Sequence, residues 1–137
     1  MVKPIVRDTM LLMRKSTPAG SGDLQTARDL LDTLKFHTRD CVGLAANMIG
    51  VFKTIIAVSV AGVPMVMINP QITGHSSESY EAEEGCLSLD GTRIATRWKT
   101  IEVDYLDMTM RKRHGSYTGF PAQIIQHEMD HCRGILI

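Results

Sequence analysis

The chain has 137 residues, of which 44% are hydrophobic and 22% charged, and we expect one globular domain spanning residues 1–137. Its 15 basic residues balance 15 acidic residues, so no overall charge favours nucleic acid or an anionic membrane as a partner. No apolar run approaches the ~20 residues of a membrane-spanning helix, and we expect neither specific nucleic-acid binding nor membrane insertion.

The first predicted helix follows a loop. Residues 16–22 read STPAGSG, a composition typical of a loop. Asp23 is a suitable N-cap for the helix that comes next. Apolar residues then recur with the 3.6-residue period of one helix face, namely Leu24, Ala27, Leu30, Leu31 and Leu34.

Strands are predicted in the middle of the chain. Residues 54–60 (TIIAVSV) are rich in β-branched side chains, which indicates a strand. Residues 62–64 (GVP) predict a turn, and residues 65–68 return as a second strand. Residues 101–107 alternate between apolar and polar side chains, which predicts a half-buried strand.

A final helix is predicted near the C-terminus. Residues 115–119 interrupt the strand pattern, Pro121 suits a first helical turn, and Gly134 is a suitable end. The order of elements predicts an α+β fold. We expect mostly antiparallel sheets packed around this C-terminal helix, plus the N-terminal helix.

The predicted final helix carries a His-Glu-x-x-His motif, HEMDH at residues 127–131. Residues four apart lie on the same helix face, so His127 and His131 can bind one metal ion. Glu128 lies beside them, within reach of a metal-bound water. Two histidines also fall at this spacing by chance, so the motif alone leaves a purely structural role open.

Two histidines need a third ligand. One class of zinc protease carries a third histidine at the position that is Ile137 in this chain, and isoleucine cannot bind a metal. Cys132 lies about 100° around the helix from His131, so we expect its side chain to point away from the shared ion. Upstream, Cys86 within EGCLS is the best candidate. Three ligands would leave an open position for a reacting water, as in catalytic sites. A buried, unreactive core thiol is the alternative for Cys86.

The cysteines indicate a compartment and a class of metal. Cys41, Cys86 and Cys132 are an odd number in a chain without an evident secretory signal. This combination favours a reducing, cytoplasmic location in which the thiols stay free. A thiolate is a soft ligand, which suits Fe²⁺ or Zn²⁺ rather than Mg²⁺ or Ca²⁺.

Three motifs together resemble the peptide deformylase family. They are VGLAANMIG at residues 42–50, EGCLS at 84–88 and QHEMDH at 126–131, in the family's order. The resemblance implies a metal-dependent hydrolase that removes the N-formyl group from N-formylmethionyl nascent peptides, in the N-terminal processing of proteins at the ribosome.

The resemblance also implies a role for each matching residue. One divalent metal ion, foremost Fe²⁺ with Zn²⁺, Ni²⁺ or Co²⁺ as alternatives, would be bound by Cys86, His127 and His131. Glu128 takes the position of the general acid/base that acts on the metal-bound water. The backbone N–H of Leu87 takes the position of a donor to the formyl oxygen as negative charge develops there.

A substrate pocket is implied in the same way. Phe120 and Ile124 would contact the methionine side chain, although helix packing alone explains their spacing equally well. The full set of implied substrate contacts is Val42, Gly43, Gly85, Phe120 and Ile124.

The first motif departs from the family pattern, G-x-G-x-A-A-x-Q. Cys41 replaces the leading glycine and Met48 replaces the glutamine. That glutamine is expected to donate a hydrogen bond to the formyl oxygen, whereas methionine has no donor. Losing one such donor typically costs ~10²–10³ in turnover. Asn47 is a poor substitute if the segment is extended, because adjacent side chains then point to opposite faces.

Charged neighbours of the motifs have open roles. Arg93 and Arg97 follow EGCLS, and either can pair with Glu84, face the substrate or lie on the surface. Asp130 lies on the metal helix and either orients a neighbour or is simply solvated.

Two hypotheses follow for the function. The first is a peptide deformylase that Met48 slows. The second is a deformylase-like protein that keeps the metal but has weak or altered amide hydrolysis, or only binds a ligand. Glu128 favours hydrolysis, because a binding protein has no need of it.

Overall fold

The computed structural model describes residues 1–137 and confirms the α+β fold. The helices are α1 (Thr9–Leu12), α2 (Leu24–Phe36) and α3 (Phe120–Cys132). The strands are β1 (Gly43–Ala45), β2 (Ile55–Val60), β3 (Val63–His75), β4 (Ser79–Cys86), β5 (Leu89–Trp98), β6 (Thr100–Leu106) and β7 (Lys112–Thr118). None of the helices has the length and apolarity that crossing a membrane requires.

The strands form two antiparallel sheets. The larger sheet has five strands in the order β1-β2-β3-β6-β7, and β4 pairs with β5 in a separate two-stranded ribbon. Helix α3 contacts strands of both sheets, including β2 in the large sheet and β5 in the ribbon. The C-terminal helix therefore lies between the sheets, as predicted.

Strand β2 and helix α2 contribute much of the hydrophobic core. Ile55, Ile56, Ala57 and Val58 are all fully buried, because both α2 and α3 contact this strand. Each such isoleucine contributes about 1.5–3 kcal/mol through burial. The predicted apolar face of α2 is confirmed, with Ala27, Leu30 and Leu34 buried and Leu24 and Leu31 half-buried.

The predicted cap of α2 is only partly correct. Asp23 occupies the N-cap position but makes no side-chain cap bond to α2. Its carboxylate instead accepts a hydrogen bond from the Gly20 N–H at 2.9 Å, within the short 3₁₀ turn Ser21–Asp23.

The second predicted strand is longer than the sequence pattern indicates. Residues 65–68 form only part of β3, and Pro64 lies within the strand opposite Ser59. The turn is instead made by Ala61 and Gly62, both with positive φ. The pairing of β3 with β6 shifts register near Asn69, whose φ is +51°. The alternation of side chains between the two faces of the strand is interrupted there. The sequence pattern therefore predicts only the part of the strand before Asn69.

Two other expectations for strands need correction. Residues 115–119 were expected to interrupt the strand pattern, but β7 runs through Gly115, which pairs with Val103. The ribbon of β4 and β5 was not predicted, because its strands mix charged, small and apolar side chains without a sustained apolar alternation. The final helix is confirmed with Pro121 in its first turn and Gly134, at φ +78°, just after its end.

Candidate metal centre

Cys86 at the end of β4 meets His127 and His131 of α3. Their sulfur and nitrogen atoms all lie within 4.8 Å of one another, so the group can hold one metal ion. The two Nε2 atoms are 3.1 Å apart, and the Cys86 Sγ lies 3.4 Å from the His131 Nε2. Both histidines are buried and the cysteine is half-buried.

The donor set fits a divalent transition metal. Two imidazole nitrogens and a sulfur converge on one point, and all three cysteines of the chain are free thiols. Burial lowers the pKa of His131 to about 3, so this imidazole is neutral at neutral pH, as a metal ligand must be. Cys132 is buried and lies outside the group, as its position on the helix predicts.

A charged network orients His127. Its Nδ1 lies 2.8 Å from a Glu84 carboxylate oxygen, which fixes the ring and leaves Nε2 for a metal. Arg97 donates two hydrogen bonds to Glu84, at 2.6 and 2.9 Å, and a third to Asp130 at 2.6 Å. Burial raises the pKa of Glu84, but the bonds from Arg97 and His127 outweigh it and lower the pKa to about 2.

This network decides between the alternatives left open for the charged neighbours. Arg97, which is 4% exposed, pairs with Glu84, and Asp130 joins the same guanidinium from α3. The Arg93 guanidinium makes no bond to the Glu84 carboxylate and donates to the Asp90 carbonyl at 3.5 Å. The buried arginine thereby links the ribbon to the metal helix.

Glu128 lies beside the histidines in a buried position. One of its carboxylate oxygens is buried without a hydrogen-bond partner. Burial raises the pKa of this carboxyl to about 7, although the nearby His127 lowers it. Gly43 of β1 lies against it, since a Cβ there would be 2.7 Å from a Glu128 oxygen and 2.9 Å from the Ile124 side chain. The motif glycine therefore leaves the space that the carboxylate occupies.

A cavity of about 460 Å³ opens in front of this group. Nine of the eleven predicted site residues line it, which are Val42, Gly43, Gly85, Cys86, Leu87, Phe120, Ile124, His127 and Glu128. Phe120 is 57% exposed and Ile124 is 5% exposed. A Cβ at Gly85 would meet no atom closer than 4.0 Å, so no other backbone crowds this glycine.

Other lining residues were missed or left unassigned. Asp40 and Glu83 line the cavity, and their positions two residues before the first motif and directly before the second could have identified them. Gly91 carries no such signal. Gln123 lines the cavity and accepts a hydrogen bond from the Tyr80 hydroxyl at 3.0 Å.

Met48 is a buried residue of the first motif. It is 1% exposed, is absent from the cavity lining, and its sulfur accepts a hydrogen bond from the Ala45 N–H at 3.5 Å. The segment is not extended there but forms a 3₁₀ turn, Ala46–Ile49. Asn47 is nevertheless engaged elsewhere, because its amide donates to the His131 carbonyl at 2.9 Å.

Leu87 lies in the turn between β4 and β5 and lines the cavity. The backbone hydrogen bonds outside the helices and strands do not use its N–H. This amide is therefore available to a ligand beside Cys86.

Comparison with known proteins gives one consistent family. The family model described as Polypeptide deformylase matches residues 2–137. A peptide deformylase of Clostridium beijerinckii is 50% identical over the full length of both chains. A peptide deformylase of Prochlorococcus marinus is 36% identical over 85% of this chain, which spans only 61% of that longer relative.

A solved structure has the same fold. It is the class I type b peptide deformylase from Acinetobacter baumannii with Met-Ala-Ser bound, which is 31% identical and superposes with a TM-score of 0.88. The alignment covers 99% of this chain and 97% of that one. The similarity thus extends over the whole fold described above.

Proposed function

The chain belongs to the polypeptide deformylase family, and we propose that it removes the N-formyl group from N-formylmethionyl peptides at one divalent metal ion bound by Cys86, His127 and His131. The convergence of these three side chains within 4.8 Å is the observation that carries the proposal. When bound, the metal supplies a positive charge and lowers the pKa of a water from 15.7 toward ~7. The soft sulfur ligand favours Fe²⁺, with Zn²⁺, Ni²⁺ or Co²⁺ as substitutes.

Glu128 acts as the general acid/base. Its carboxylate accepts the proton of the attacking water and then delivers it to the leaving methionine amine. The raised pKa of about 7 suits both steps near neutral pH. Such a group typically contributes ~10²–10⁴ to the rate. Gly43 leaves room for this carboxylate, because a Cβ at that position would lie 2.7 Å from one of its oxygens.

The oxyanion that develops on the formyl oxygen needs hydrogen-bond donors. The N–H of Leu87 beside Cys86 provides one. Met48 stands where the family pattern has a glutamine and has no donor to offer, which predicts slower turnover by ~10²–10³. A deformylase-like protein with weak or altered amide hydrolysis is therefore the second candidate function.

The cavity accommodates the substrate beside the metal centre. Val42, Gly43 and Gly85 contact the peptide, while Phe120 and Ile124 contact the methionine side chain. The Met-Ala-Ser complex of the related Acinetobacter baumannii enzyme supports a peptide ligand. The substrate would be a nascent chain at the ribosome in the cytoplasm, where the three cysteines stay reduced. Residues 1–137 act as one domain, since α3 packs against both sheets.

Formate release tests this function. The protein is purified anaerobically with iron, and formate release from a formyl-methionyl peptide is measured for the wild type and Met48→Gln. We expect low activity in the wild type and higher activity in the variant, because the glutamine restores a donor. The assignment fails if neither protein releases formate although each binds one equivalent of metal.

A further inference from the structure

The turn that follows Cys86 is contacted by a residue near the N-terminus. The Arg7 guanidinium donates one hydrogen bond to the Leu87 carbonyl at 2.8 Å and another to the Asp90 carboxylate at 2.6 Å. Arg7 lies 80 residues before Leu87 and outside all three motifs. Its contacts therefore fix the turn between β4 and β5 from a distant part of the chain.

One peptide group connects Arg7 to the sulfur. The Leu87 carbonyl and the Ser88 N–H belong to the same planar peptide, in which they point in opposite directions. The Ser88 N–H donates to the Cys86 Sγ at 3.4 Å. When Arg7 binds the oxygen on one side, the N–H on the other side is directed at the sulfur. The guanidinium charge also polarises the peptide and strengthens this donor.

We propose that Arg7 is a positioning residue for the metal centre, which binds the Leu87 carbonyl and thereby directs the Ser88 N–H to Cys86. This inference rests on the proposed function, because it requires Cys86 to be a metal ligand. Groups that hydrogen-bond to a metal ligand typically contribute 10–100-fold to metal affinity or activity. Arg7 acts through an intervening peptide, so its loss weakens metal binding by about three- to tenfold.

The same contact orients the Leu87 N–H. This amide belongs to the preceding peptide, whose direction depends on the backbone angles of Leu87. Removing Arg7 lets the turn move and misaligns the donor for the formyl oxygen. Since that donor acts on charge that develops only in the transition state, kcat decreases while KM stays the same.

Arg7 contributes little to folding, which makes the proposal testable. Its side chain is 55% exposed and that of Asp90 is 97% exposed, and such surface pairs add little stability. Arg113 is a matched control, because its side chain is 56% exposed and pairs with Asp107 at 2.8 Å. It lies on β7, which belongs to the other sheet.

The experiment compares wild type, Arg7→Met and Arg113→Met as metal-free proteins titrated anaerobically with Co²⁺ against a competing chelator. The thiolate-to-cobalt charge-transfer absorption is recorded, and kcat and KM are measured on a formyl-methionyl peptide. We expect Arg7→Met to bind Co²⁺ about three- to tenfold more weakly, with a shifted absorption band, a lower kcat and an unchanged KM. Arg113→Met should match the wild type in every measurement.

Two outcomes would overturn the inference in distinguishable ways. If Arg7→Met matches the wild type in Co²⁺ affinity and in its absorption band, Arg7 does not position the sulfur, and the proposed function is unaffected. If the wild type binds no Co²⁺ or shows no thiolate band, Cys86 is not a ligand and the proposed function fails as well.

Discussion

Helix α3 and the end of strand β4 supply ligands to the same candidate metal, but they are held in place in different ways. His127 and His131 are buried on a helix that packs between the sheets. Cys86 is half-buried at the end of a two-stranded ribbon, an arrangement that is only marginally stable alone. The helix side therefore depends on core packing, whereas the cysteine side depends on charged contacts from Arg97 and Arg7.

The substitution with the largest expected effect removes the general acid/base from α3 and leaves the three metal ligands in place. Glu128→Ala should lower turnover by ~10²–10⁴, because the general acid/base is lost. Metal content should stay at that of the wild type, since none of the three ligands changes. Formate release and metal analysis measure the two effects. A variant that retains the wild-type rate would show that another group moves the proton.

The substitution with the next largest effect removes the arginine that connects the ribbon to α3. Arg97→Met leaves Glu84 and Asp130 without their buried partner, which should reduce the free energy of unfolding by about 3–5 kcal/mol. Denaturant unfolding of the metal-free protein measures this loss. Arg113→Met is the control and should leave stability nearly unchanged, because its ion pair is exposed. Equal stability of the two variants would contradict a structural role for the buried network.

The substitution with the smallest expected effect adds a methyl group next to Glu128 of α3. Gly43→Ala places a methyl group 2.7 Å from a Glu128 oxygen, and overpacking of this kind costs about 1–3 kcal/mol. We expect lower stability and a lower kcat, because the carboxylate must move. Gly74→Ala is the matched control, since its Cβ would meet no atom closer than 3.7 Å. Identical kinetics for the two variants would show that Glu128 adjusts freely.

The two sides also differ in how far the sequence predicts them. The spacing of His127 and His131 is local to one helix, so a period of 3.6 residues predicts that they face the same ion, and the structure brings them together. Helix α2 was predicted for the same reason. The strands of the ribbon lack a sustained apolar alternation, so they were missed, and Cys86 was identified only through its motif.

Contacts that are distant in sequence were beyond prediction. Arg7 lies outside every motif, and nothing local indicates that it reaches Leu87. By charge alone, either Arg93 or Arg97 could pair with Glu84. Only the structure of the ribbon shows that Arg97 is the partner. Asn69 interrupts β3 through a positive φ that hydrophobic periodicity does not detect.

The most direct test of the account is X-ray absorption spectroscopy of the iron-loaded protein, with Cys86→Ala as the comparison. The wild type should show one sulfur and two imidazole nitrogens bound to each iron, and the variant should lose the sulfur. A wild-type shell of nitrogen and oxygen alone, or a sulfur that persists in Cys86→Ala, would contradict the proposed centre.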